Sequence, residues 1–242
     1  MDSIFLDYPL FGKSPKDYLR NYYKASYIAG LLMQKGYKIY NPLYILDLYR
    51  IANREPMKIT EEDYIKFNIP WLEIIDSILS LNGESYFYTE AKRMGKKIYK
   101  SIKSIKGVKK SVEDRDYFKT VDDKIVDEIL KNSSINLSKF KGGIRIYIAG
   151  PYTSNSIKGL EENIKRASII GYYLFKQDFR PYVPHIATDL PDNLFHFDWE
   201  FWMLQDKFFL EKSDAILFID KSKGANIELY YAWKIGKPII KF

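Results

Sequence analysis

Shifted against itself by 142 residues, the 242-residue chain places Asn21, Ala25, Ser26, Ile28, Leu32, Tyr40 and Pro42 on Asn163, Ala167, Ser168, Ile170, Leu174, Tyr182 and Pro184 without a gap. A shift of 138 places Leu72, Glu73, Asp76, Ile78 and Leu79 on Leu210, Glu211, Asp214, Ile216 and Leu217. A shift of 141 places Gly83, Ala91, Gly95, Lys96 and Ile98 on Gly224, Ala232, Gly236, Lys237 and Ile239. Three blocks in one order, with small changes of offset, imply one fold present twice. The copies are residues 1–99 and 143–242, joined by a basic linker at 100–142. Each copy has the size of a compact domain.

The second copy shows its elements most clearly. Ile144–Ala149 is a β-rich run ending at Gly150-Pro151, a strand followed by a turn. Leu160, Ile164, Ala167, Ile170 (or Gly171) and Leu174 recur at helical spacing, and Arg180–Val183 is a second short strand stopped by Pro184. Phe201, Leu204 and Phe208 form another helical stripe, expected to face the sheet, before the apolar strand Ala215–Ile219. A helix from Ala225 to Ile235 ends at Gly236, and Ile239-Ile240 is the last strand. This alternation predicts an α/β protein: two tandem Rossmann-like, or flavodoxin-like, domains, each with a mostly parallel sheet flanked by helices. Ligands of such sheets bind beyond the carboxyl ends of the strands. That rule groups Gly150–Ser156, His185–Asp189 and Asp220–Glu228 at one candidate site. In the linker, Val121, Ile125, Ile129 and Leu130 have the spacing of a short helix, with flexible connections expected at 132–134 and 142–143.

Composition narrows the chemistry. With no cysteine, a disulfide scaffold, a thiolate metal site and thiol catalysis are excluded, and two histidines do not make a multi-histidine metal site. No metal or other cofactor is therefore expected. No apolar run approaches the ~18–20 residues of a membrane helix, and the N-terminal stretch lacks the basic-then-apolar order of a signal peptide. A cytoplasmic protein without a membrane partner is expected. The net charge of +7 is uneven: residues 142–242 carry 13 Lys and Arg against 12 Asp and Glu. Lys100, Lys103, Lys106, Lys109 and Lys110 run without an intervening acid. Lacking interleaved aromatics for base stacking, they read as a solvated linker rather than a nucleic-acid contact.

The second copy resembles the nucleoside 2-deoxyribosyltransferase family and its relatives that cleave the N-glycosidic bond of 2′-deoxynucleoside 5′-monophosphates. The resemblance rests on IYIAGPYT at 146–153, PYVPH at 181–185, Trp199, Asp206 and Asp214 in sequence, and SKGANIELYYAWKIGKPI at 222–239. It implies that Glu228, closing the GxxxE segment that starts at Gly224, attacks C1′ of the sugar and displaces the base. Read from the residues alone, Glu228 falls in the first turn of a helix after a Gly-containing loop, where the helix dipole would favour its ionised form. Asp206 shares a helix face with Trp199, Trp202 and Met203, as in a pocket wall. By resemblance it contacts base or sugar and aids proton transfer to the leaving nitrogen. Asp214 recurs as Asp76 and reads as structural. Gly150, Tyr152 and His185 stand at strand ends where substrate would bind. By resemblance, a serine at position 222, where nucleoside transferases tend to carry an acid, points to 5′-monophosphates. With Lys223 and the amides around Gly224 it would suit a phosphate at a helix N-terminus, aided by the hydroxyls of Thr153, Ser154 and Ser156.

In the first copy Phe87 stands at the position of Glu228 and Asn68 at that of Asp206. It keeps the packing residues and lacks the carboxylates, so it reads as a degenerate copy. Family members form oligomers whose subunits complete one another's sites, so the resemblance implies an internal pseudo-dimer, open to further homo-oligomer formation. The expected function is N-glycosidic bond cleavage or deoxyribosyl transfer on nucleosides or their 5′-monophosphates. The competing readings are a non-catalytic nucleotide sensor, a nucleic-acid contact through the lysine run, and cleavage of NAD at its nicotinamide bond.

Overall fold

In a computed structural model, residues 2–9, 15–52, 59–108, 117–187 and 194–241 are described. Lys109, Lys110 and Asp189 lie outside them. The first copy runs β1 (Ser3–Asp7), α1 (Pro15–Gln34), β2 (Lys38–Tyr40), α2 (Tyr44–Ala52), α3 (Glu61–Ile74), β3 (Ser77–Ser80), α4 (Tyr86–Arg93) and β4 (Lys97–Tyr99). Next come α5 (Asp123–Ser133) and β5 (Ser134–Ile135), followed by β6 (Arg145–Ala149), α6 (Ile157–Lys176), β7 (Arg180–Tyr182), α7 (Pro184–Ala187), α8 (Trp199–Lys212), β8 (Ala215–Phe218), α9 (Lys223–Lys234) and β9 (Ile239–Lys241). The chain is α/β with two sheets whose strand pairs are all parallel, of order β2-β1-β3-β4 and β5-β9-β8-β6-β7. The central strands β1, β3, β6 and β8 are almost wholly buried, which is why they read as continuous apolar runs rather than alternating ones.

The strand registers repeat the sequence offsets. Ser3 pairs with Lys38 as Arg145 pairs with Arg180, a shift of 142 on both sides. Ile4 faces Ser77 as Ile146 faces Ala215, and Ile78 faces Ile98 as Ile216 faces Ile239. The anchoring bonds repeat too. Asp76 accepts from the Ser3 amide at 2.9 Å, and Asp214 accepts from the Arg145 amide at 2.8 Å and from the Arg145 guanidinium. Burial works against ionisation of Asp214, but Arg145 holds its carboxyl below the usual range, as a structural anchor requires. The Lys96 ammonium donates to the carbonyls of Glu73 and Ile75, and that of Lys237 to those of Glu211 and Ser213. Gly95 and Gly236, each just past the end of a helix, adopt φ of +68° and +74°.

The chain forms two compact units. One comprises Met1–Asp47, Met57–Val112 and Ala187–His196, the other Leu48–Pro56, Glu113–Ile186 and Phe197–Phe242. In the first, the Phe195 ring lies so close to Gly30 that an added Cβ would stand 2.5 Å from it. The region 100–142 is more structured than a linker. Its helix is α5, which buries Val126 and Ile129 and leaves Ile125 exposed, and β5 pairs with β9. Residues 132–134, expected to be a flexible connection, instead finish α5 and begin β5. Polar side chains cannot by themselves exclude a helix end when the apolar face before them docks on a sheet. Lys100, Lys103 and Lys106 are exposed. Among the described residues, no helix is long and apolar enough to cross a membrane.

Candidate active site

Helix α9 begins at Lys223 because Ser222 caps it, its Oγ accepting from the Ala225 amide at 3.2 Å. Glu228 therefore sits in the second turn rather than the first, beyond the strongest part of the helix dipole. Its environment points the other way from the sequence expectation. Glu228 is buried, and desolvation together with the charge of Asp206 raises its pKa well above the usual carboxylate range; the Tyr147 hydroxyl, donating to Oε1 at 2.7 Å, only partly opposes this. The helix dipole was expected to favour the ionised form; burial, and after it the charge of Asp206, works against ionisation. The same burial and the same two carboxylates keep Tyr147 protonated, and so a donor.

Asp206 is half-buried on α8. The face of α8 that packs inward differs from the expected stripe. Phe201 and Leu204 are half-buried, whereas Gln205 and Phe209 are fully buried, and the Phe209 ring stacks on Tyr182 of β7 at 4.2 Å. Aromatic and aliphatic residues surround this helix on all sides, so spacing alone does not choose the buried face. Asp198 caps α8 by accepting from the Phe201 amide at 2.7 Å.

Comparing the two units position by position isolates what the second carries. Phe5, Tyr40 and Trp71 stack in series in the first unit, as Tyr147, Tyr182 and Phe209 do in the second. Above this shared stack, Phe5 meets Phe87 at 5.0 Å between ring centroids, where Tyr147 meets Glu228 through a hydrogen bond. Asn68, at the Asp206 position, is fully buried and accepts from the Tyr40 hydroxyl at 2.8 Å. A polar pair has its counterpart in an apolar pair at the same register. The fold itself does not need the buried acid.

The remaining candidates are placed separately. His185 has its Nε2 2.9 Å from the Pro151 carbonyl, so that nitrogen carries the proton; burial lowers its pKa to about 4, and the imidazole is neutral. Its buried Nδ1 has no hydrogen-bond partner among the described residues. The Tyr152 ring lies edge-on to it at 5.8 Å and is largely exposed. Trp199 lies under the Lys223 ammonium at 4.3 Å, and Met203 approaches Gly224, placing both by the start of α9. Gly150 has a packing reason to be glycine: a Cβ there would meet the Ile219 side chain at 3.2 Å. The ring contacts of Trp202 are with Phe197 and Phe201. Ser156 caps α6 through the Gly159 amide at 3.0 Å.

Two tyrosines were missed by sequence reasoning. Tyr147 was legible in principle, since its counterpart Phe5 changes together with the counterpart of Glu228. Tyr117 lies outside the repeat, where no such comparison exists. It is buried, edge-on to Tyr231 at 5.0 Å, and the charges of Glu228 and Asp206 add to burial in raising its pKa. Among the described residues, no three His, Asp or Glu side chains converge as a metal-ligand set. Compared with protein-family models, curated proteins and solved structures, the chain matches none.

Proposed function

We propose that the second unit cleaves the N-glycosidic bond of nucleosides or their 5′-monophosphates, passing the sugar to water or to a second base. The observation carrying this reading is the buried Tyr147–Glu228 pair, which stands where the first unit has Phe5 and Phe87. Burying a carboxyl costs stability, and at this register the first copy packs Phe5 on Phe87 instead, so the acid at position 228 answers to chemistry rather than folding. In the reaction, Glu228 passes its proton towards Asp206 as positive charge builds on the sugar. Its carboxylate then bonds to C1′ as the C1′–N bond breaks, and the departing base takes the proton from Asp206. Water or a second base then attacks C1′, losing its proton to Asp206, as the C1′–Glu228 bond breaks. Tyr147 orients Glu228 throughout.

The Ser222 cap and the amides at the start of α9 favour a 5′-phosphate, since helix N-termini bind anions. The test is incubation with nucleosides, 5′-monophosphates and NAD, with and without a second base, resolving products by chromatography. Base release is expected, with Glu228→Gln lowering it at least about a thousandfold and Asp206→Asn at least about a hundredfold. Nucleotide binding without base release would replace the enzyme with a sensor. Cleavage of NAD alone would redirect the substrate assignment.

A further inference from the structure

Tyr117 belongs to neither copy of the repeat, yet it is only 4% exposed, and its hydroxyl has no hydrogen-bond partner among the described residues. Burying an unpaired hydroxyl costs roughly as much as losing a hydrogen bond. A phenylalanine would pack without that cost, as the adjacent Phe118 does against Trp199 at 6.0 Å. The position of the ring gives the hydroxyl a use. It meets Tyr231, one turn beyond Glu228 on α9, and the Lys207 ammonium lies 5.7 Å from its centroid and 4.6 Å from that of Tyr231. Lys207 directly follows Asp206 on α8. The Tyr117 ring is thus bracketed by the neighbours of both carboxylates.

The segment bearing Tyr117 is also held in place. Asp123 accepts from the Asn226 side chain at 2.8 Å, and Asp127 pairs with Lys221 at 2.7 Å, tying α5 to α9 and to the loop before it. We propose that Tyr117 is a substrate-contacting residue of the second unit's site, its hydroxyl donating a hydrogen bond to the nucleoside held between Glu228 and Asp206. The inference rests on the N-glycosidase reading of that site. Burial first, and then the nearby acidic groups Glu228 and Asp206, disfavour the phenolate, so the group stays a donor. Residues from the segment between the copies then complete the site within one chain.

Tyr117→Phe removes only the hydroxyl. Binding of the four 2′-deoxynucleoside 5′-monophosphates is measured by calorimetry on the full chain carrying Glu228→Gln, with and without Tyr117→Phe, and kcat/KM on the full chain with Tyr117→Phe alone. The expected result is about tenfold weaker binding and a similar loss of kcat/KM, with Tm unchanged or raised because an unpaired hydroxyl has gone. Equal binding and equal kcat/KM overturn the inference while leaving the N-glycosidase reading intact. A fall in Tm with unchanged binding overturns it in favour of a structural hydroxyl. Absence of both turnover by the unsubstituted chain and binding by Glu228→Gln removes the parent reading, and this inference with it.

Discussion

At the scale of single residues, protonation decides what Glu228 can do. In the unfolded chain its carboxyl titrates near 4.5; in the folded chain its pKa lies well above that. Below the unfolded pKa both states are protonated and the group is neutral to stability. As pH rises, the unfolded state releases its proton first, so stability is lost until the folded pKa is passed. Glu228→Gln is therefore expected to be more stable than the unsubstituted chain at neutral pH. The difference should grow by about 1.4 kcal/mol per pH unit within that window and vanish near pH 4.5. Urea melts at several pH values measure this, and an equal or lower stability at pH 7 would refute the assignment. Asp206 raises Glu228 by its charge, so in Asp206→Asn the Glu228 limb of the pH–rate profile should move to lower pH. Neither effect was legible in the sequence, where a glutamate after a glycine loop reads as ionised. Desolvation and a second carboxylate 22 positions away in the chain are consequences of packing.

At the scale of elements, α4 and α9 are the same helix with different beginnings. Aligned by the shift of 141, both are followed by the left-handed glycine, Gly95 or Gly236, but α4 starts about one turn later, at Tyr86. The turn that α9 adds carries Ser222 and Gly224, the proposed phosphate subsite. The helix ends can be compared cleanly, because a Cβ at either glycine would meet nothing within 4 Å. Gly95→Ala and Gly236→Ala should each cost about 1 kcal/mol, from backbone strain alone. Equal losses in the two units, read by urea denaturation, are the expected result; a much larger loss at either site would mean a contact at that helix end beyond the backbone conformation. These ends were legible because a glycine after a helical stripe has one common use. The buried face of α8 was not, because its apolar residues go all the way round.

At the scale of the whole molecule, the segment between the copies belongs to the second unit from Glu113 onward. A chain of residues 143–242 lacks α5 and β5, which leaves an edge of β9 unpaired and removes the buried side chains of Val126 and Ile129. It is expected to be less stable than residues 117–242 by at least about 3–5 kcal/mol, from the apolar burial alone, and more prone to aggregate through the bared strand. Equal denaturation midpoints would show that α5 contributes nothing to that fold. The sequence by itself determined the duplication, the succession of strands and helices in the second copy and the position of Glu228, since repeats, periodicity and motif spacing are properties of the chain read along its length. The tertiary structure alone decided that burial beside Asp206 works against ionisation of Glu228, that Tyr147 donates to it, and that α5 and Tyr117 belong with the second unit. Those depend on which distant surfaces meet and exclude water, and an amphipathic helix does not carry in its own sequence the identity of the face that will cover it.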